Sequence, residues 1–295
     1  KLIDGSTELS PYRIDGRKVI AEYEASKTEM PGTAARVLDY SAIWIHPDGS
    51  ARMLEHEIIG IQSREGIQEH AEQRPPRGLV LKIRTIKRDG RILEPEIVEG
   101  KQTITMPHLE VGDYIETESV TTLRSDGQGG LRFEGPRWFF REEKIPYWRS
   151  EFITISPKSK PLDVEIGGPV PSPQVSETGA LIIRRYRVDQ SPALPEEPAS
   201  APIQEFLPNV RIGWGFSLDD TIARMIDAAS DETPRDPRLV RVAESIVQGT
   251  APAARPAEKV DPKSDDKGDN GDKDDDKGDE KAEKKKGDAP ALMLA

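Results

Sequence analysis

Paired carboxylates are the first residues in this chain whose types and spacing could support chemistry. Three such pairs are candidates, namely Glu55 and Glu57, Glu116 and Glu118, and Glu142 and Glu143. Glycoside hydrolysis uses two carboxyl groups that flank the scissile bond, so each pair is a candidate for an independent hydrolase. Residues two apart lie on the same face of a strand, however, and acidic residues there usually face solvent. We therefore interpret the first two pairs as solvated sheet surface, with catalysis as the less favoured hypothesis.

A cluster of aromatic residues is the most unusual feature of the composition. Aromatic residues make up 5% of the chain, yet five of them fall within residues 138–148, namely Trp138, Phe139, Phe140, Tyr147 and Trp148. Aromatic faces bind sugars or protein partners with little loss of conformational entropy, which indicates a binding surface. Its candidate residues are Trp138, Tyr147, Trp148 and Trp214. The alternation of Trp138 with Phe140 favours the other interpretation, in which these side chains fill a β-sheet core.

Metal chemistry has little support in the histidines. His46, His56, His70 and His108 are each isolated in sequence from a second type of metal ligand. We expect them to be exposed on strands or loops rather than to hold a metal ion. No cofactor is predicted, and no serine lies in the strand–turn–helix motif of a serine hydrolase.

One acidic stretch has a spacing similar to that of a calcium-binding loop. Asp272, Asp274 and Asp276 alternate along the chain, and Glu283 follows eleven residues after Asp272. Such a loop needs glycine at its sharp turn, and this chain has Lys277 there. The neighbouring lysines also weaken the local negative field. We therefore interpret this stretch as a solvated linker rather than a calcium site.

The composition narrows the possible classes of function. The 295 residues contain no cysteine, which excludes disulfides, thiolate metal sites and a cysteine nucleophile within them. A net charge of −11 argues against a general nucleic-acid-binding protein, which needs a basic face to neutralise phosphates. No apolar run approaches the length of a membrane-spanning helix, so the sequence predicts no membrane span in this chain.

The elements that would position these residues are mainly β-strands. Residues 79–123 predict four short strands, with turns at Asp89-Gly90 and at Val111-Gly112-Asp113. Residues 36–46 and 51–62 flank Pro47-Asp48-Gly49-Ser50 and predict a long β-hairpin. Further strands are predicted at residues 137–141, 150–156, 161–166 and 181–188. Glycine and proline separate these runs, a pattern typical of a mostly β protein built as an antiparallel β-sandwich.

Helices are predicted mainly near the C-terminus, at residues 218–229 and 236–249, where apolar residues recur at helical spacing. Ser63 is the predicted N-cap of a short helix, and residues 19–25 fit either a helix or a strand. Beyond residue 250 the low-complexity composition predicts disorder. The predicted organisation is therefore an N-terminal linker or extension (1–33), a β-sandwich domain (34–213), a helical segment (214–249) and a disordered acidic linker (250–295).

Three short motifs connect this chain to a known kind of domain. They are the Asp89-Gly90 hairpin, the turn within residues 109–116, and Leu194-Pro195-Glu196-Glu197-Pro198. Together with their order, over residues 37–212, they resemble a bacterial domain of unknown function that precedes transglutaminase-like domains. The resemblance implies a non-catalytic β-sandwich in an exported protein, with the chemistry in a downstream domain that carries a Cys-His-Asp triad. None of those catalytic residues can be placed in this chain, because it has no cysteine.

These observations lead to one functional expectation and one alternative. We expect a non-enzymatic accessory module, exported to the periplasm or cell surface, that positions or docks the catalytic domain of a transglutaminase-like cysteine protease. The predicted docking surface is an apolar rim of Trp214, Phe216, Ile222, Met225 and Ile226. The alternative is a module that binds glycan or another component of the cell envelope through Trp138, Tyr147 and Trp148.

Overall fold

The computed structural model describes residues 8–125, 130–194 and 202–216, together with residues 222, 223, 225 and 226. The chain divides into two compact units, with the division after Phe216. The first unit is mostly β, as the sequence predicts. The four separate residues are helical. The remainder of the predicted C-terminal helices and the acidic tail, including the stretch with calcium-loop spacing, lie outside the described residues.

The strands form three sheets. They are β1 (Ala34–Ile45), β2 (Ala51–Ile61), β3 (Glu72–Gln73), β4 (Leu79–Ile86), β5 (Ile92–Leu93), β6 (Ile104–Thr105), β7 (Tyr114–Leu123), β8 (Phe133–Glu134), β9 (Trp138–Phe139), β10 (Tyr147–Pro157), β11 (Asp163–Gly167), β12 (Gln174–Thr178), β13 (Leu181–Ser191) and β14 (Asn209–Trp214). The large sheet has eight strands in the order β12-β13-β10-β1-β2-β7-β4-β5. The small sheet has the order β11-β14-β8, with β9 also paired to β14, and β3 pairs with β6.

The large sheet is mixed rather than purely antiparallel. Inside this sheet β1 and β10 run parallel, with Asp39 opposite Ser150 and Ala42 opposite Ile153. The other pairings in this sheet are antiparallel. The prediction of antiparallel strands is thus corrected for the pair β1 and β10. Parallel neighbours need a long crossover rather than a tight turn, so no local turn motif in the sequence could reveal this pairing.

The β1–β2 hairpin closes at the turn that the sequence predicts. The His46 N–H donates to the Ser50 carbonyl at 2.8 Å, and Gly49 has a φ of +80°. Glycine reaches this left-handed conformation without the steric cost that a Cβ would add. Pairing then continues from Ile45 opposite Ala51 to Ala34 opposite Ile61, which confirms a long hairpin.

Two α-helices accompany the sheets in the described part of the first unit. α1 (Gly16–Ser26) begins where the Asp15 carboxylate accepts a hydrogen bond from the Arg17 N–H at 3.0 Å. It buries Val19 and Ile20 in a cluster with side chains of β1 and β2. α2 (Arg64–His70) begins after Ser63, whose hydroxyl accepts from the Gly66 N–H at 3.1 Å, as predicted. No helix among the described residues is long and apolar enough to cross a membrane.

Buried side chains form three clusters on the two faces of the large sheet. Residues of β1 alternate between the faces, so Ala42 packs in the cluster of α1, whereas Ile43 and Ile45 pack in the cluster of the small sheet. A third cluster contains Ile59 and Ile61 of β2, against which α2 packs. Along β2, Met53 of the second cluster and Ile59 of the third share one face. That face is thus apolar at both ends of β2.

Candidate functional site

Between the second and third clusters, the large sheet carries a polar strip that forms the floor of a cleft. The floor comprises Arg36 and Asp39 of β1, Glu55 and Glu57 of β2, and Thr117 and Ser119 of β7. The walls are residues 73–77 and 136–139, and the volume is about 600 Å³. This is the size of a cavity that holds a small ligand or part of a chain. We refer to it as the Arg36 cleft.

A β-bulge brings the two charged residues of β1 into the same cleft. The pairing of β1 with β2 shifts register between Arg36 and Leu38. In a regular strand, residues three apart would point to opposite faces, but the extra residue of a bulge restores them to one face. Arg36 and Asp39 accordingly both line the cleft.

Arg36 is surrounded by carboxylates. Its Nη2 lies 3.0 Å from Glu57 Oε1 and 3.4 Å from Glu142 Oε2, and its Nη1 lies 3.6 Å from Asp39 Oδ1. Its guanidinium also lies over the ring of Tyr147, 4.8 Å from the centroid. Burial disfavours the charged form of Arg36. The attraction of the neighbouring acids is stronger than this effect of burial and raises the pKa of Arg36. The guanidinium therefore stays charged and holds the acids of the cleft together.

Asp39 lies in surroundings that favour its protonated form. Burial raises the pKa of Asp39 to about 7, while the Arg36 charge and a hydrogen bond from Ser150 act in the opposite direction. Ser150 Oγ donates to Asp39 Oδ2 at 2.6 Å, and Trp138 Nε1 donates to Ser150 Oγ at 3.2 Å. A carboxyl group with a pKa near neutrality can accept or release a proton at physiological pH, a property that is common in functional sites.

Glu55 is the acid of the cleft floor without a partner. No hydrogen bond or ion pair among the described residues involves its carboxylate, although it is only partly exposed. Burial and the nearby charge of Glu57 raise the pKa of Glu55, and the charge of Arg77 lowers it. The carboxylate is thus held where its charge is poorly compensated.

The walls of the cleft combine apolar surface with cations. Pro75, Pro76, Trp138 and Phe139 supply the apolar surface. Three arginines at the edge of the walls, Arg74, Arg77 and Arg137, are exposed. The cleft consequently has an acidic floor and a basic edge. This distribution suits an elongated polar ligand with a cationic part at the floor and acceptor groups near the edge.

The structure brings together two of the four aromatic residues predicted as a binding surface. Trp138 and Tyr147 both line the Arg36 cleft. Trp138 stacks on Phe152 with ring centroids 5.4 Å apart, and Tyr147 is covered by Arg36. Trp148 is buried in the cluster of α1, and Trp214 is buried in the cluster of the small sheet. These two side chains lie in different cores and are remote from any shared surface.

The second pair of carboxylates lies on the opposite face and corrects the expectation of a solvated sheet surface. Glu116 and Glu118 are fully buried instead of solvated. Glu116 contacts Lys82 Nζ at 3.2 Å and Arg84 Nε at 2.7 Å, and Glu118 contacts Arg13 Nε at 2.7 Å. The sequence pattern shows that both acids share a face, but it does not show that α1 and its neighbours cover that face.

His56 belongs to this buried network and is not exposed, contrary to the sequence-based expectation. Its Nε2 lies 2.9 Å from Glu116 Oε1, and both side chains have no exposed surface. Of the other histidines, His108 is exposed, while His46 and His70 are half-buried. Among the residues that the structure describes, no group of three or more histidine, cysteine or acidic side chains could hold a metal ion.

Arg36 and Asp39 are the site residues that sequence reasoning missed. Both lie inside a strand whose other residues are mainly apolar, Ala34-Ala35-Arg36-Val37-Leu38-Asp39-Tyr40. Charged residues are rarely buried unless they are paired, so two opposite charges inside an apolar strand are a detectable signal. That signal could have indicated a buried ion pair, although not the cleft above it.

Comparison with known proteins supports the fold alone. No protein-family model matches the chain, and no curated protein matches it. Its structure is similar to a crystal structure from Parabacteroides distasonis described as a "putative protease", with a TM-score of 0.52 and 13% sequence identity. The similarity covers 74% of this chain and 50% of the other, so the matched region is half the length of that protein.

Proposed function

We propose that this chain is a non-catalytic β-sandwich accessory module of an exported bacterial transglutaminase-like protein, where it positions or docks a catalytic domain. The observation that carries the proposal is the structural similarity to a protein described as a "putative protease", of which only half corresponds to this chain. The other half of such a protein would supply the chemistry. In the same arrangement, a thiolate nucleophile would come from outside these 295 residues, which contain no cysteine.

The predicted apolar rim is distributed over the two units, and we propose its part in each unit separately as a docking surface. Phe216 is 37% exposed in the first unit, and Ile222, Met225 and Ile226 are 46%, 68% and 60% exposed in the second. The last three share a helical face because they are three and four residues apart. Trp214 is buried and so does not take part. Exposed apolar residues that recur on one face are typical of a protein contact.

Enzymatic assays of the 295-residue protein test the non-catalytic role. We expect no hydrolysis of peptide or amide substrates by the purified protein. Hydrolysis that persists after repeated purification and is lost in Asp39→Asn or Glu57→Gln would contradict the accessory role and favour an independent hydrolase. Cell fractionation of the source bacterium, with the protein detected in the periplasm or at the surface, tests the proposed export.

Site-specific cross-linking tests the docking role. A photo-activated amino acid at residue 216 or 225 of the natural full-length gene product should cross-link to a Cys-His-Asp domain. The same amino acid at Val175, which is 59% exposed on β12, is the matched control. Equal cross-linking from all three positions, or none from residues 216 and 225, would contradict the proposed docking surface.

The second candidate function is binding of a glycan or cell-envelope polymer, and the placement of Trp138 in the Arg36 cleft favours it. Sugars stack on aromatic rings, but one face of Trp138 already stacks on Phe152. A glycan ligand should change tryptophan fluorescence in the native protein and not in Trp138→Ala. Trp44, half-buried on the opposite face of the sheet, provides the matched control Trp44→Ala. An unchanged response in Trp138→Ala would remove this candidate.

A further inference from the structure

The floor of the Arg36 cleft carries more negative than positive charge. Three carboxyl groups, of Asp39, Glu55 and Glu57, share the floor with one guanidinium. Arg36 pairs with Asp39 and Glu57, so its guanidinium is already paired with these two carboxyl groups. Glu55 has no such pair among the residues that the structure describes, and it lines a cavity of about 600 Å³. A cationic group in the cavity would supply the missing partner.

Desolvation makes this position favourable for a cation. A partly buried carboxylate has lost part of its hydration, and a second acid nearby adds repulsion. Both effects act on Glu55, where burial and the charge of Glu57 raise the pKa more than the charge of Arg77 lowers it. A bound cation would remove the repulsion and replace the lost hydration with a charge-assisted hydrogen bond.

The walls fit the stem of a long cationic side chain. Pro75 and Pro76 line one wall, and Trp138 and Phe139 line the other. Lysine and arginine carry their charge on a flexible stem of methylene groups, which packs well on apolar and aromatic surfaces. The combination of an apolar passage with an unpaired carboxylate at the floor therefore points to a lysine or arginine side chain.

The edge of the cleft indicates what lies on either side of that side chain. Arg74 and Arg77 follow one wall, and Arg137 follows the other. Arginine donates readily to carboxylates and carbonyl oxygens, so acidic residues or backbone carbonyls beside the inserted side chain would meet these cations.

We propose that the Arg36 cleft binds a peptide segment, in which a lysine or arginine side chain reaches Glu55 and adjacent acidic residues contact Arg74, Arg77 and Arg137. This inference goes beyond the accessory role and does not depend on it. It also differs from the glycan hypothesis, because the deciding interaction is a charge pair at Glu55 and not a sugar stacked on Trp138.

Calorimetric titration of the full chain with short synthetic peptides tests the proposal. The probe is acetyl-Gly-Asp-Lys-Asp-Gly-amide, and its matched control has norleucine in place of lysine, which keeps the stem and removes the charge. We expect the lysine peptide to bind about tenfold or more tightly than the norleucine peptide, the size expected for one charge-assisted hydrogen bond. Glucosamine, which carries an ammonium group without a peptide, distinguishes an amino sugar from a peptide ligand.

Variants of the protein separate the site from general charge effects. Glu55→Gln should weaken the lysine peptide by about tenfold and leave the norleucine peptide unchanged. Glu99→Gln removes the same charge from an exposed position away from the cleft and should change neither affinity. Circular dichroism shows that each variant is folded.

Three results would overturn the proposal. They are equal affinity for the lysine and norleucine peptides, unchanged affinity in Glu55→Gln, and binding of glucosamine without binding of the peptide. None of these measurements involves a catalytic domain or the residues near Phe216. Failure here therefore leaves the accessory role standing, and failure of the cross-linking experiment leaves the peptide site standing.

Discussion

The carboxylate of Glu116 fills the space that a Cβ atom on Gly16 would occupy. Gly16 is the first residue of α1, and Glu116 is in β7. This contact therefore packs the start of the helix closely against the large sheet. Glu116 is at the same time paired with His56, Lys82 and Arg84. A side chain at position 16 would thus disturb both the packing of α1 on the large sheet and the buried charge network.

The first prediction concerns Gly16→Ala. Alanine normally favours a helix over glycine, but here its methyl group must displace a buried, fully paired carboxylate. We expect the free energy of unfolding to fall by about 1–3 kcal/mol, as for other overpacked sites. Urea denaturation measures this. The control is Lys18→Ala, on an exposed position of the same helix. If Gly16→Ala is as stable as Lys18→Ala, the contact between Gly16 and Glu116 is not tight.

The second prediction concerns Glu116→Gln. Burial opposes ionisation of Glu116, but a hydrogen bond with His56, the charge of Lys82 and a hydrogen bond from Arg84 outweigh it and lower the pKa to about 2. Removing the negative charge leaves Lys82 and Arg84 poorly compensated, which should cost about 3–5 kcal/mol in the free energy of unfolding at pH 7.

The stability of Glu116→Gln at acidic pH checks the lowered pKa of Glu116. Between about pH 4.5 and pH 2, Glu116 binds a proton in the unfolded chain but not in the folded one, so native stability falls as pH decreases there. Glu116→Gln should lack this part of the acid dependence. Glu134→Gln, which removes an exposed partner of Arg211, should retain it. Identical acid profiles for the native protein and Glu116→Gln would contradict the assignment.

The third prediction concerns Asp39→Asn. Asp39 has a raised pKa of about 7, so between about pH 4 and pH 7 the folded state binds a proton that the unfolded state releases. Its contribution to stability therefore decreases as pH rises through this range. Asparagine cannot ionise, so the variant lacks this loss. From pH 5 to pH 8, the free energy of unfolding of Asp39→Asn should therefore rise relative to that of the native protein by on the order of 1 kcal/mol or more.

Thermal or urea unfolding at several pH values measures this difference. Asp163→Asn replaces an exposed aspartate and should follow the native pH profile. A constant stability difference between Asp39→Asn and the native protein from pH 5 to pH 8 would show that Asp39 titrates normally.

The fourth prediction concerns Arg36→Met. Methionine keeps much of the volume but leaves Asp39, Glu57 and Glu142 without their shared cation. We expect the free energy of unfolding to fall by about 3–5 kcal/mol at pH 8, the usual cost of breaking a buried pair from one side. The loss should be smaller at pH 5, because protonation of the remaining acids relieves their repulsion.

Denaturation at these two pH values checks the prediction. Arg187→Met removes an exposed pair with Asp189 and should cost less than about 1 kcal/mol at either pH. An Arg36→Met protein that loses no more stability than Arg187→Met would show that the cleft acids do not depend on Arg36.

Local signals in the sequence were sufficient wherever a few adjacent residues decide the conformation. Gly49 and Gly90 take positive φ angles of 80° and 86° in the predicted turns, and Ser63 caps α2. Each of these features depends on the steric freedom of glycine or on a hydroxyl within reach of a nearby N–H. The sequence of α1 fits a helix or a strand, because only Val19, Ile20 and Tyr23 mark its apolar face in a polar stretch.

The sequence by itself determined that the chain is rich in strands, where its main hairpin turns, and that Glu55 shares a face with Glu57. Only the tertiary structure decided which face is covered. β-strand alternation assigns residues to two sides, but the parallel contact of β1 with β10 and the position of α1 depend on segments far apart in the chain. Those contacts bury Glu116 with His56 and place Glu55 in an open cleft. Two carboxylate pairs with the same sequence spacing thus acquire opposite surroundings.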